Sequence, residues 1–148
     1  PPRSTLFPYT TLFRSLIVKS SYDGEAGVCI ENLVDRGRTD SYDFDVEEGV
    51  VDISSMLEGM MVDRLGDTEG LCSKFINTLA KVALSFAKSS TLPAALRGGV
   101  FQNQALLYAI KREFEKEGIE YYTHSKIPAN DGGIAYGQCV YVALSAQE

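Results

Sequence analysis

The chain has 148 residues and a net charge of −6 at pH 7, with 20 acidic and 14 basic side chains. This length favours one domain, and the acidic balance argues against a nucleic-acid groove or an anionic membrane surface as a partner. No apolar run approaches the ~20 residues of a membrane-spanning helix.

Three widely spaced cysteines, Cys29, Cys72 and Cys139, form no Cys-x-x-Cys pair, and the chain has one histidine. Without paired ligand spacing, zinc is disfavoured. We expect reduced, mostly buried thiols in a cytoplasmic protein.

Residues 1–15 contain Thr-Leu-Phe twice, with Arg-Ser before the first copy and after the second. They resemble a translated sequencing-adapter string, and we predict that this segment is non-native. Residues 16–148 show no linker or long internal repeat, so we treat them as part of one domain.

The first half of the chain predicts two helices and two strands. A turn at residues 20–25 leads into a helix with apolar residues at helical spacing, which Gly37 can end. Residues 42–46 alternate apolar and acidic side chains, which is typical of a half-exposed strand, and residues 50–53 predict a second strand. Ser55 and Glu58 have the spacing of a capping box for the next helix.

The second half predicts a strand-helix-strand crossover. A long helix from about Thr68 to Lys88 carries a clean apolar stripe. Residues 93–96 then enter a first glycine pair, followed by a helix that Gly118 can end and a strand at residues 119–123. These lengths indicate an α/β fold with parallel βαβ units. The last helix, residues 133–144, is apolar on most sides, so we expect it to be buried.

Two glycine pairs stand at matching places in this half, each between an extended stretch and a helix. They are Gly98-Gly99 and Gly132-Gly133. Glycine lets a ligand approach the backbone, and parallel strands bind ligands at their carboxyl ends. The pairs therefore predict a nucleotide or phosphate cleft. Asn103 would hydrogen-bond the ligand or, alternatively, cap the following helix.

Four further residues carry candidate chemistry. Asp131 could ligate a hard cation or an iron-type centre that holds ligand phosphates, or it could cap the last helix. His124 could act as a general acid–base, but we favour a surface-loop histidine because no partner is evident. Tyr22 and Glu25 could form a polar pocket wall, although on spacing alone we favour an Asp-Gly turn and helix start.

In combination these motifs resemble a known family. Residues 98–103 (Gly-Gly-Val-Phe-Gln-Asn), His124 and residues 128–138 are similar to the carboxyl end of the hydrogenase-maturation carbamoyltransferases of the HypF type. Residues 22–26 and 75–80 look like two further family motifs. The resemblance runs from about residue 20 to residue 146.

The resemblance implies a partial actin/Hsp70/sugar-kinase-like ATPase fold, with residues 16–148 as the C-terminal part of the carbamoyltransferase (Kae1-like) domain. It implies that the domain holds a carbamoyl-adenylate made with ATP from carbamoyl phosphate, and passes the carbamoyl group to a C-terminal cysteine of a HypE-type partner. The nucleotide contacts would be Gly98, Gly99, Asn103, Gly132 and Gly133. The divalent-metal ligand would be Asp131.

Two departures from the family pattern stand out. Arg97 occupies a position where the family usually has a small residue, and Ile76 replaces a usual histidine. The family's paired metal-binding histidines are absent from this sequence. We therefore expect the chain on its own to be catalytically incomplete.

Two other hypotheses remain open. One is a related ATPase-fold enzyme half, such as a relative of the tRNA threonylcarbamoyl-transfer enzymes or of the sugar kinases. The other is a non-catalytic acidic α/β interaction module whose glycine turns are only structural.

Overall fold

The computed structural model describes residues 21–22 and 24–146, so the predicted non-native segment at residues 1–15 lies outside the described residues. The described part is an α/β fold. Its elements in chain order are α1 (Glu25–Leu33), β1 (Asp45–Glu47), β2 (Val50–Asp52), α2 (Ser54–Asp63), α3 (Thr68–Lys88), β3 (Ala94–Leu96), α4 (Gln104–Glu117), β4 (Tyr121–Thr123) and α5 (Ile134–Ser145), with short 3₁₀ turns at Gly99–Gln102 and Asp131–Gly133.

The predicted parallel crossover is confirmed. β3 pairs with β4 in parallel, with Ala94 opposite Tyr121 and Leu96 opposite Thr123, and α4 connects the two strands. Gly118 ends α4 in the left-handed conformation (φ 67°), as its position predicts. β1 and β2 form a separate antiparallel hairpin.

The core lies between α3 and α4. Both helices bury apolar stripes against each other, and charged side chains occupy their outer faces. The buried members of the two stripes include Leu71, Phe75, Ile76, Ala80, Ala109, Ile110 and Phe114. Each large side chain removed from water in this way contributes about 1.5–3 kcal/mol. The stripe of α3 does not run its full predicted length, because Phe86 near its end is exposed.

Buried polar side chains of α3 fix the segment between α1 and β1. The amide Nδ2 of Asn77 donates to the carbonyls of Arg38 (3.1 Å) and Asp40 (2.9 Å), and its Oδ1 accepts from the Arg112 guanidinium (2.9 Å). The backbone N–H of Tyr42 donates to the hydroxyl of Thr78 (2.9 Å). The strand predicted from residue 42 therefore begins only at Asp45, since these backbone groups bond to α3 instead of to a neighbouring strand.

Helix starts were only partly predictable. α3 begins and ends where its pattern indicates, and the side chain of Asp67 caps it by accepting from the Gly70 amide (2.8 Å). The capping box at Ser55 and Glu58 is wrong. α2 begins at Ser54, whose amide donates to the carboxylate of Asp52 (2.8 Å).

The burial predicted for the last helix is also wrong. Tyr141, Val142 and Leu144 of α5 are 74%, 65% and 62% exposed. α5 carries no charged residue, and within the described part of the chain it packs chiefly against the 3₁₀ turn before it. An apolar helix is expected to pack against other residues, but its own sequence does not indicate which residues those are.

The prediction of mostly buried thiols is wrong for two of the three cysteines. Cys72 is fully buried, and burial raises the pKa of its thiol to about 11. Cys29 is half-buried, whereas Cys139 on α5 is exposed. Among the described helices, none has both the length and the hydropathy needed to cross a bilayer.

We predict that Asn77→Ala lowers the free energy of unfolding by roughly 2–4 kcal/mol, because two carbonyls and the Arg112 guanidinium lose a buried partner. Chemical denaturation measures the change. Asn32→Ala, at an exposed position of α1, is the control and should change it by less than about 0.5 kcal/mol. Equal effects of the two substitutions would contradict this account of the network.

We predict that Val142→Ser leaves the melting temperature of the chain nearly unchanged, because the side chain is already in water. Ile110→Ser, at a position 2% exposed, should lower stability by about 2–4 kcal/mol. Thermal melts of both variants measure this difference in stability. A large loss in the Val142 variant would show that α5 is packed in the isolated chain.

Candidate functional site at the carboxyl edge of β3 and β4

The two glycine turns lie side by side. β3 and β4 end at the paired residues Leu96 and Thr123, so the chain leaves both strands at the same edge of the sheet. Beyond that edge, the backbone N–H of Gly98 donates to the carbonyl of Ala129 (2.8 Å). This hydrogen bond joins the first turn directly to the loop that carries Gly132 and Gly133.

Gly98 and Gly99 are glycines for different reasons. Gly98 has φ 113° and ψ 163°, a conformation that only glycine adopts without strain. Gly99 has no positive φ, and a Cβ built on it would meet nothing within 4 Å among the described residues. The Cα of Gly99 therefore faces open space beside the turn. Neither backbone conformation nor packing requires a glycine at this position.

The second pair is explained by close packing. A Cβ on Gly133 would lie 2.7 Å from the carbonyl oxygen of Pro128, and a Cβ on Gly132 would lie 3.1 Å from Oδ1 of Asn130. That same Oδ1 accepts the Gly132 amide. These two glycines therefore let the loop fold back on itself, whether or not a ligand also approaches them.

Asn103 has the structural role that the sequence left open. Its Oδ1 accepts from the Leu106 amide (2.9 Å) and caps α4, and its Nδ2 donates to the carbonyl of Gly27 in α1 (3.1 Å). The Gln104 amide adds a bond to the carboxylate of Glu31 (2.9 Å). An amide side chain can make four hydrogen bonds, so Asn103 retains one N–H and one lone pair for a ligand.

Asp131 is exposed and begins the 3₁₀ turn that precedes α5. It does not cap α5, since Gly133 stands at that position without a side-chain bond, so the capping alternative is wrong. Asn130 is the residue that bonds back to the turn, through the Gly132 amide. The Asn-Asp-Gly-Gly pattern contained that Asx-turn signal.

A metal ion does not fit the described residues by themselves. They contain no group of three or more His, Cys, Asp and Glu side chains that could hold one. Asp131 supplies one carboxylate, and hard divalent cations take six or more oxygen ligands. A metal held by Asp131 would therefore need ligands other than a cluster of such side chains in the described residues.

Of the remaining predicted residues, one lies at the same edge and two stand at the start of α1. His124 follows β4 directly and is exposed. Tyr22, 54% exposed, and Glu25 stand at the start of α1, and the carboxylate of Glu25 accepts the Ser21 amide (2.6 Å). Because Asn103 holds Gly27, the start of α1 is brought toward the first glycine turn. Sequence reasoning missed this link, since the two residues are 76 positions apart.

A separate cleft of about 190 Å³ lies beside the start of α3. Its charged side chains pair with each other: Arg38 with Asp67 (2.7 Å) and Lys74 with Asp63 (2.7 Å). The Lys74 ammonium lowers the pKa of Asp63, and the Gly70 amide followed by Arg38 lowers that of Asp67. These mutual contacts stabilise the fold and leave no unpaired charge for a ligand there.

The fold and the arrangement of the two turns match one class of domain. The family model described as "Carbamoyltransferase, Kae1-like Domain, second subdomain" matches residues 6–138. The chain thus belongs to this class of carbamoyltransferase subdomain.

Known relatives identify the family. Carbamoyltransferase HypF of Rhodobacter capsulatus is 31% identical over 136 residues, which are 88% of this chain and 18% of that protein. The HypF of Synechocystis sp. is 25% identical over 139 residues, 90% of this chain and 18% of the relative. The crystal structure of full-length HypF in the phosphate- and nucleotide-bound form matches with a TM-score of 0.75 and 28% identity, over 84% of this chain and 21% of that one.

The chain belongs to the HypF carbamoyltransferase family, which confirms the resemblance seen in the sequence. It spans about a fifth of the length of these relatives.

We predict that Gly133→Ala lowers the free energy of unfolding by about 1–3 kcal/mol, because its Cβ must displace the Pro128 carbonyl. Gly99→Ala should leave stability within about 0.5 kcal/mol of the parent, since its Cβ enters open space. Denaturation curves of the two variants test the distinction. Equal losses would mean that the two turns are packed alike.

Proposed function

We propose that this chain forms one wall of the nucleotide site of a HypF-type carbamoyltransferase, as one lobe of an actin/Hsp70/sugar-kinase-like ATPase fold. The observation that carries the proposal is the Gly98–Ala129 hydrogen bond, which brings two glycine turns to one edge of the parallel strands. Ligands of open α/β sheets bind at such an edge. The nucleotide-bound state of the full-length HypF relative supports the same assignment.

Within this site Gly99 has the clearest ligand role. Its open Cα face allows a sugar or phosphate to contact the backbone, which a side chain would prevent. Gly98 sets the turn, and the free N–H and lone pair of Asn103 contact the ligand from the start of α4. Gly132 and Gly133 keep the second loop tight enough to form the opposite side.

The reaction assigned to the complete protein is transfer of a carbamoyl group from carbamoyl-adenylate to a cysteine thiolate. The thiolate of a HypE-type partner forms a bond to the carbonyl carbon, and the bond from that carbon to the phosphate oxygen breaks. AMP leaves with the electron pair, and the partner carries an S-carbamoyl group used in nickel–iron hydrogenase maturation. The adenylate is the product of a carbamoyl phosphate-derived intermediate and ATP.

This chain contributes binding and orientation to that reaction. A divalent metal in the complete domain would stabilise negative charge on the phosphate, with Asp131 as one ligand and the others from the rest of the protein. Among the described residues no group of three His, Cys, Asp or Glu side chains completes such a site. Because the chain also spans only about a fifth of its relatives, we infer that it does not catalyse transfer alone.

The alternatives draw less support. Matches to HypF proteins favour a hydrogenase-maturation enzyme over a relative that modifies tRNA. A purely structural module would not require glycine at position 99, where neither φ nor packing demands it.

Gly99→Val tests the proposal by filling the open face of the first turn. We expect at least a tenfold loss of AMP affinity, measured by isothermal titration calorimetry, with little change in the melting temperature. Gly137→Val is the matched control, because a Cβ at this exposed position of α5 also meets nothing within 4 Å.

Unchanged AMP affinity in the Gly99 variant would place the nucleotide elsewhere. An equal loss in the Gly137 variant would show that the effect is not local to the turn. Either outcome would overturn the assignment.

A further inference from the structure

The edge that carries the glycine turns is locally basic, although the chain as a whole is acidic. Residues 97–112 and 121–130 contain no Asp or Glu, whereas the full sequence has 20. Three basic side chains lie in the parts of these segments next to the turns: Arg97, His124 and Lys126. Asp131 is the first carboxylate beyond them.

The strand register places these side chains at one edge. Leu96 of β3 is opposite Thr123 of β4, and the next residues along the two chains are Arg97 and His124. Lys126 follows in the loop whose Ala129 carbonyl bonds to the Gly98 amide. All three side chains are exposed.

Arg97 and Lys126 form no ion pair in the described part of the chain, and neither do Arg36, Arg64, Lys81 and Lys111. Arg38, Lys74, Lys88, Arg112 and Lys116 each form an ion pair within 4 Å of a carboxylate. What sets Arg97 and Lys126 apart is their place in the chain: Arg97 directly precedes the first glycine pair, and Lys126 lies in the loop whose Ala129 carbonyl accepts the Gly98 amide.

Apart from Asp131, the carboxylates of α1 that lie toward this side of the molecule through the Asn103–Gly27 bond already accept hydrogen bonds. Glu25 accepts from Ser21, and Glu31 accepts the Gln104 amide. An exposed guanidinium and ammonium left without a carboxylate can donate charge-assisted hydrogen bonds to an anion.

We propose that Arg97, supported by Lys126 and His124, contacts the phosphoryl group of the nucleotide and makes this site select phosphorylated nucleotides over nucleosides. The inference rests on the proposed nucleotide site. Arg97 directly precedes the first glycine pair. It adds a side-chain charge to a turn that otherwise offers backbone groups.

The test compares AMP with adenosine, which differ by the phosphoryl group alone. Affinities are measured by titration calorimetry at low and moderate KCl for the parent chain, Arg97→Ala and Arg97→Lys. Arg64→Ala is the control, because Arg64 is also exposed but lies at the end of α2. Melting temperatures verify that each variant is folded.

We expect Arg97→Ala to weaken AMP binding roughly tenfold, the loss typical of one charge-assisted hydrogen bond, and to change adenosine binding less than twofold. Arg97→Lys should recover part of the AMP affinity, and the dependence of AMP binding on KCl should become shallower in the alanine variant. Arg64→Ala should bind both ligands like the parent.

Equal effects on AMP and adenosine, or no effect on either, would overturn the role of Arg97 while leaving the nucleotide site intact. A folded parent chain that binds neither AMP nor adenosine would overturn the nucleotide site itself, and the Arg97 contact with it. The two failures are therefore distinguishable.

Discussion

The hydrogen bond from the Gly98 amide to the Ala129 carbonyl is the contact on which the site depends. The strands beneath it are only three residues long, so their register alone fixes little of the loops that follow. Gly98 can donate this bond because it adopts a positive φ that other residues avoid. Gly133 lets the second loop pack closely against the Pro128 carbonyl. Gly98 fixes the conformation of the first loop and Gly133 that of the second, and the amide-to-carbonyl hydrogen bond joins the two loops.

Local patterns predicted the elements whose determinants are close in sequence. The bounds of α3 follow from its helical pattern, the end of α4 follows from Gly118, and the parallel crossover follows from element lengths. Predictions from local patterns failed where a backbone group bonds to a residue far away in the sequence. Residues 42–44 are not a strand because Thr78, 36 positions away, takes the backbone N–H of Tyr42.

The candidate site was likewise predicted only in part from the sequence. The sequence identified both glycine pairs, but only coordinates separate Gly99, which no backbone or packing requirement explains, from Gly133, which packing requires. The sequence also offered two roles for Asn103 without deciding between them. Its bonds to Leu106 and Gly27 make it structural, so substitutions there would change folding and binding together. Gly99 and Arg97 are cleaner probes because their changes leave the described contacts intact.

The exposed apolar surface of α5 has a practical consequence for anyone who isolates this chain. Tyrosine, valine and leucine side chains face water on successive turns of a helix without a single charge to repel a neighbouring molecule. Self-association of the isolated chain will therefore be governed by this helix rather than by the acidic remainder. The concentration that can be reached in the laboratory depends on covering the apolar side chains of the helix.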